Sequence, residues 1–341
     1  MNGTNFFDCF GIIIYKKLFL KGGKPMRIVI MDGSAANPGD LNWKPFEELG
    51  EVIAYDITPS DKIIEHARGA QAVITNKTPF TEEILKELPD LKYIGVIATG
   101  YNVVDLEACA RRGIVVTNVP EYGTFATAQM AIALLLELAD KVGMHNESVK
   151  KGDWVRSEQF CYWISPLTEL AGKNIAVVGM GKIGTRVAII AKALGMNVLP
   201  VPHTLKDPDK EYLFEDAVKK ADVITLHCPL TNETKNMINK DVISTLKDGV
   251  FIINAARGPL VNETDMAEAL RAGKVAGFGC DVVSSEPMKE DNPLLTAPNT
   301  VITPHIAWAP KETRARLIEA AANNLRNYMD GKTGAEVNQV N

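Results

Sequence analysis

The sequence predicts an α/β protein of two domains, each a parallel sheet covered by helices on both faces. Three observations lead there. The chain has 341 residues, more than one hydrophobic core organises comfortably. Short apolar strands alternate with helical stretches in two separate series. One strand, at 174–178, ends in a glycine-rich turn that passes straight into a helix.

The first series begins at Met26. Apolar strands are expected at 28–31, 52–55, 72–75, 93–97 and 114–117, with helical stretches such as 61–68, 82–88 and 106–111 between them. Residues 124–141, rich in Ala, Leu, Ile and Met, read as a long helix. It is apolar on most faces and therefore buried between two layers or domains. A loop at 152–167 follows and carries Trp154, Phe160, Tyr162 and Trp163. The second series has strands at 174–178, 197–201, 223–226, 250–254, 276–281 and 300–302. A last helix at 312–328, apolar on one side, returns to the first domain. The domains are then 26–122 with 310–334, and 123–309 between the two crossings. Residues 1–25 read as an extension outside the fold, either from an upstream start or as a short membrane-surface anchor. Residues 330–341 read as a frayed tail.

Composition narrows the function. A net charge of −5 offers no basic face for nucleic acid. No apolar run approaches the ~20 residues of a membrane span. Five scattered cysteines, with no C-x-x-C pair, suit a reducing, cytoplasmic compartment and argue against a disulfide framework or a zinc site. The histidines have no metal-binding spacing, so no metal is expected.

The glycine turn reads Gly179-Met180-Gly181-Lys182-Ile183-Gly184. The first glycine permits a tight turn, the second lets backbone approach a pyrophosphate, and the third lets helix and strand pack closely. N–H groups of the first helical turn favour the anion. The second domain is therefore expected to be a Rossmann dinucleotide-binding domain, inserted into a discontinuous flavodoxin-like substrate domain.

Ligands of open α/β sheets sit beyond the carboxyl ends of the strands. There the second series places His227-Cys228, then Ala255-Ala256-Arg257, then Asp281, then His305, with Glu286 five residues past Asp281. This set suits hydride transfer to a 2-keto acid. Histidine titrates near neutrality and can give a proton to the oxygen that becomes the hydroxyl. A carboxylate such as Glu286 on the other ring nitrogen fixes the tautomer. Arg257 offers paired donors that grip a carboxylate and polarise the adjacent carbonyl. Asp281 is expected to accept from a nicotinamide carboxamide. His227, among apolar residues, is left outside the catalytic set.

These residues in this order resemble the D-isomer specific 2-hydroxyacid dehydrogenase family. The blocks VVGMGKIG, DGVFIINAARGPLV, GCDVVSSEP and ITPHIAWA carry the likeness, which extends from about residue 26 to 328. The resemblance implies a catalytic trio of Arg257, Glu286 and His305, with His305 as acid/base. It implies cofactor contacts at Thr99, Gly179, Gly181, Lys182, Ile183, Gly184, Pro202, His203, Cys228, Ala255, Ala256, Arg257, Asp281 and His305. It also implies substrate contacts at Lys77, Ala98, Thr99, Gly100, Arg257 and His305. The segments MDGSAANPGDLNW, TNKTPFT, IGVIATGYNVVD and HCPLTNET are most similar to the glycerate dehydrogenase (hydroxypyruvate reductase) branch. That branch implies hydroxypyruvate and D-glycerate as the small-molecule 2-keto and 2-hydroxy acid, and a homodimer built through the cofactor domains. The aromatic loop at 160–163 is then expected near the dimer contact, reaching towards the partner's substrate cleft. Glutamate rather than glutamine at 286 argues against formate.

An NAD-specific chain carries an acid at the end of the second strand of the nucleotide domain. Here that strand runs into Pro202-His203-Thr204-Leu205-Lys206 and meets no acid before Asp207. The cofactor is therefore expected to be NAD(H) or NADP(H), with loose discrimination. Two other readings remain at this stage: a dehydrogenase for glyoxylate, lactate or phosphoglycerate, and a non-catalytic NAD(H)-binding regulator.

Overall fold

The computed structural model describes residues 12–15 and 25–341. It divides into two compact units, residues 1–122 with 309–341, and residues 123–308.

In the first unit the strands are β1 (Ile12–Tyr15), β2 (Met26–Ile30), β3 (Gly50–Tyr55), β4 (Ala72–Thr75), β5 (Tyr93–Val96) and β6 (Val115–Thr117). They form one six-stranded sheet in the order β1-β3-β2-β4-β5-β6. From β3 to β6 all neighbours are parallel, whereas β1 runs antiparallel to β3. The central strands are buried on both faces, as their continuous β-branched runs require. On one face Val29, Ile53, Val73, Ile94 and Val116 pack with Phe80 and Leu85. The helix Lys311–Met329 packs on β5, burying Leu317, Ile318, Ala321 and Leu325.

Both sheet edges correct the sequence reading. The extension expected outside the fold contributes β1, whose Ile12–Tyr15 backbone pairs with Tyr55–Val52. This covers the open N–H and C=O row of β3. The remainder of residues 1–24, and with it the surface-anchor reading, lies outside the described residues. At the other edge, residues 330–341 are no frayed tail. Gln339 bridges Thr117, the Val340 N–H donates to the Val116 carbonyl, and the Asn341 side chain bonds Val116 N–H and Ile114 C=O. Val337 is fully buried. Gln339 and Asn341 thereby complete the β6 edge.

The second unit holds β7 (Asn174–Val178), β8 (Asn197–Val201), β9 (Val223–Leu226), β10 (Val250–Asn254), β11 (Val275–Cys280) and β12 (Thr300–Ile302), all parallel, in the order β12-β11-β10-β9-β7-β8. The winding reverses between β7 and β9, the point where such sheets open a crevice. The long apolar helix runs Thr124–Asp140 and lies on the β10 and β11 face of this same sheet. Glycines make that approach possible. A Cβ at Gly277 would sit 2.8 Å from Leu138 Cδ2, and one at Gly279 would sit 3.0 Å from Leu134 Cβ. The chain does not pass directly from this helix into a loop. Lys141 turns with φ 50°, and a second helix, Val142–Lys150, follows. Its sequence, VGMHNESVK, has too weak an apolar stripe to announce it.

Candidate active site

One row of paired residues crosses the whole second sheet. Val201 faces Val178, Val178 faces Leu226, Leu226 faces Asn254, Asn254 faces Cys280, and Cys280 faces Ile302. Every candidate of this unit follows that row within six residues. Pro202 and His203 leave β8, and Gly179 to Gly184 leave β7. Cys228 leaves β9, Ala255 to Arg257 leave β10, Asp281 leaves β11, and His305 leaves β12. The register alone brings them to one rim.

At the glycine turn each glycine has a distinct geometric reason. Gly179 has φ 94°, and a Cβ there would lie 2.6 Å from the His227 carbonyl carbon. Gly184 lies against the Gly179 carbonyl oxygen, 1.9 Å from where a Cβ would stand, which lets the helix Lys182–Ala193 rest on the end of β7. Gly181 differs: a Cβ there would meet nothing within 4 Å. Its small size is not required by the protein's own packing, which fits backbone that must admit a ligand. The open face at Gly181 and the helix N-terminus behind it suit a dinucleotide pyrophosphate.

Beyond β12, His305 sits in the left-handed region with φ 55°. For a non-glycine residue this conformation costs about 1 kcal/mol and must be held in place. Asp281 holds it. Its backbone carbonyl accepts from the His305 N–H at 2.8 Å. Its carboxylate accepts from Thr303 Oγ1 at 2.5 Å, Ile306 N–H at 2.9 Å and Ala307 N–H at 2.8 Å. Asp281 is thus a largely occupied acceptor rather than the open one expected from the sequence. Three donors of the 303–307 loop already occupy most of its lone pairs, and its first duty is to hold the histidine loop.

Glu286 reaches back to this histidine. Its Oε2 lies 2.7 Å from His305 Nδ1, and its Oε1 accepts from the Val283 N–H at 3.2 Å. With Nδ1 so engaged, Nε2 is the ring nitrogen left for a ligand. Arg257 stands on the neighbouring strand end. Its loop is shaped by buried Asn254, whose Nδ2 donates to the Arg257 carbonyl and whose Oδ1 accepts from the Ala256 N–H. The Arg257 guanidinium is exposed, with Nη1 on the Ala256 carbonyl at 2.7 Å. Gly258 then packs so tightly on Val283 and Ser284 that a Cβ would overlap their backbone. That contact holds the arginine loop beside the glutamate loop.

His227 stays outside this chemistry. Thr225 Oγ1 is 2.8 Å from its Nε2, its Nδ1 is buried without a partner, and burial pulls its pKa down to about 4. Cys228 turns its thiol to Met237 Sδ at 3.6 Å, and burial raises its pKa. The loop after β8 holds an acid that its spacing hid. Glu211 folds back so that its carboxylate accepts the N–H groups of Lys206 and Asp207.

In the first unit the remaining candidates also share a rim. Thr75 of β4 pairs with Val96 of β5, and Lys77 and Ala98 to Gly100 follow those ends. The Lys77 loop is gripped by Asp32, a residue that sequence reasoning missed. The Asp32 carboxylate accepts from the N–H groups of Asn76 at 2.7 Å, Lys77 at 2.5 Å and Thr78 at 2.9 Å. Its signal was its place, two residues past the end of β2. The 98–100 loop is fastened by Asn118, whose Nδ2 donates to the Thr99 carbonyl at 2.7 Å.

With this geometry established, similarity to known proteins is informative. Residues 132–307 match the NAD binding domain of the D-isomer specific 2-hydroxyacid dehydrogenases. The chain is 48% identical to a hydroxypyruvate reductase of Blautia hydrogenotrophica over 93% of this chain and 100% of that protein. It is 39% identical to a glycerate dehydrogenase of Methylorubrum extorquens over 90% of this chain and 97% of that protein. Among solved structures, the TT0316 protein from Thermus thermophilus superposes with a TM-score of 0.81 at 34% identity. That match covers 93% of this chain and 100% of the other.

Proposed function

Because the chain belongs to the D-isomer specific 2-hydroxyacid dehydrogenase family, we propose that it reduces hydroxypyruvate to D-glycerate with NADH or NADPH. The protein is an oxidoreductase with an NAD-binding domain. The observation that carries the reaction class is the 2.7 Å contact between Glu286 and His305 at the rim of that domain. The choice of hydroxypyruvate rests on the named relatives at 48% and 39% identity.

When bound, the reduced nicotinamide supplies the hydride. Gly179, Gly181 and the first turn at Lys182, Ile183 and Gly184 would hold its pyrophosphate. Pro202 and His203 would flank its adenosine side, and Cys228, Ala255 and Ala256 would line the crevice. His305 Nε2 gives a proton to the C2 oxygen of the keto acid. Glu286 keeps the proton-bearing tautomer in place and stabilises the imidazolium from the Nδ1 side. Arg257 polarises the C2 carbonyl and grips the substrate carboxylate with its planar donors. Within the first unit, Lys77 and the backbone of Ala98, Thr99 and Gly100 offer donors suited to a substrate carboxylate. Asp281 positions His305 and keeps one lone pair for the carboxamide.

His203, Thr204 and Lys206 favour a 2′-phosphate, while Glu211, turned back on the same loop, adds one negative charge. Their balance supports use of both cofactors. A homodimer through the second unit is supported by the exposed apolar side chains of Val155 (87%), Phe160 (86%) and Trp163 (67%). The unpaired, buried thiols of Cys109 and Cys280 favour a cytoplasmic setting, and no helix among the described residues is long and apolar enough to cross a membrane. A panel of hydroxypyruvate, glyoxylate, pyruvate and 3-phosphohydroxypyruvate, assayed with NADH and with NADPH, tests the proposal. The expected result is the highest kcat/KM for hydroxypyruvate. A tenfold preference for any other acid overturns the substrate, and no oxidation of either cofactor with any acid overturns the reaction.

A further inference from the structure

The loop that carries Glu286 is fastened at both ends by one side chain that lies far from it in sequence. Glu263 is the first residue of the helix Glu263–Arg271, whose start is fixed by Asn262 accepting from the Thr264 and Asp265 N–H groups. Glu263 Oε1 accepts from the Ser284 N–H at 2.6 Å. Its Oε2 accepts from Ser284 Oγ at 2.6 Å and from Asn292 Nδ2 at 2.9 Å. Ser284 is two residues before Glu286, and buried Asn292 is six residues after it. Asn292 is itself a cap, accepting from the Leu294 N–H at the start of a 3₁₀ turn. Gly258 packs against the backbone of Val283 and Ser284 as well.

We propose that Glu263 is a positioning residue for the acid/base pair: its carboxylate clamps residues 284 and 292 and so aims the Glu286 carboxylate at His305 Nδ1. This rests on the reading of Glu286 and His305 as that pair. The clamp needs an acceptor at both oxygens. In Glu263→Gln, either amide orientation leaves one donor, the Ser284 N–H or the Asn292 amide, facing another N–H group. The loop can then drift, and a displacement on the order of 1 Å in a proton-transfer pair costs up to about 100-fold in rate.

The test is a double-mutant cycle on kcat for hydroxypyruvate with NADH, using Glu263→Gln, Glu286→Gln and the double variant. Glu263→Gln is expected to lower kcat about tenfold or more, leaving KM for NADH nearly unchanged and lowering the melting temperature by no more than a few degrees. In the Glu286→Gln background the same change should add less than about twofold, because a residue that acts only through Glu286 has nothing left to position. Ser284→Ala, which removes one of the three donors and keeps the carboxylate, should give a smaller loss of the same kind and stands in if Glu263→Gln fails to fold. Unchanged kcat in Glu263→Gln, or losses that multiply in the double variant, overturns the proposal. If Glu286→Gln alone leaves kcat intact, the acid/base reading falls and the proposal with it, and that arm identifies which of the two has failed.

Discussion

Oε2 of Glu286 lies 2.7 Å from Nδ1 of His305, a contact that spans 19 residues of sequence and joins the ends of two adjacent strands. A carboxylate there fixes which ring nitrogen carries the transferable proton. Replacing it with an amide keeps the shape and removes the charge. We expect Glu286→Gln to lower kcat for keto-acid reduction about 100-fold while leaving NADH affinity, read by fluorescence titration, within twofold. A matching loss of NADH binding would mean that Glu286 serves the cofactor rather than the proton.

The glycine turn separates packing from binding. At Gly184 a Cβ would stand 1.9 Å from the Gly179 carbonyl oxygen, while at Gly181 it would meet nothing within 4 Å. Gly184→Ala is therefore expected to destabilise the second unit by about 3 kcal/mol, through overpacking. Gly181→Ala should leave the melting temperature of the cofactor-free protein unchanged and weaken NADH binding about tenfold or more, because its methyl group enters the space reserved for the phosphates. Thermal melts and NADH titrations of the two variants check the pair.

The same turn shows what could be read in advance. Strands β4, β7, β8, β9, β10 and β12 match the apolar runs residue for residue, and β4, β7, β9 and β12 are bounded on both sides by polar or glycine residues. The candidates on the second rim were legible because a parallel sheet puts all its carboxyl ends on one side. The edges were not legible. Pairing of Ile12–Tyr15 with β3 and of Gln339 with Thr117 depends on backbone rows that become exposed only once the sheet exists. Anchoring residues were hidden for a related reason. Asp32, Asn254 and Glu263 bind backbone or side-chain groups of their loops, and no spacing in the chain announces bonds that span 21 to 46 residues in the cases of Glu263 and Asp32.

His227 gives the fold a pH dependence of its own. Burial lowers its pKa to about 4 in the folded chain, against 6.5 for an ordinary histidine. The unfolded chain therefore binds more protons between those values. The contribution to stability is complete above pH 6.5, falls as pH drops through the window, and changes no further below about 4. Between pH 7 and 4.5 this group accounts for about 2–3 kcal/mol of lost stability. Urea midpoints at the two pH values should show that loss, and the His227→Gln variant should show a loss smaller by about that amount.

Trp163, 67% exposed, lies in the apolar segment of the proposed dimer contact. Trp163→Ala is expected to weaken the dimer, seen as a shift towards monomer mass in light scattering below micromolar concentration. It should also change the ratio of hydroxypyruvate to glyoxylate kcat/KM about threefold or more, if the ring reaches a partner's substrate. An unchanged ratio in a variant that remains dimeric would remove the loop from the specificity of the site.

The most direct measurement compares NADH oxidation by hydroxypyruvate in the wild-type protein and in His305→Ala, with NADH affinity measured on both. If the imidazole delivers the proton, wild type turns over and the variant loses about 100-fold or more in kcat with its NADH affinity intact. Turnover in the variant close to that of the wild type would contradict the account.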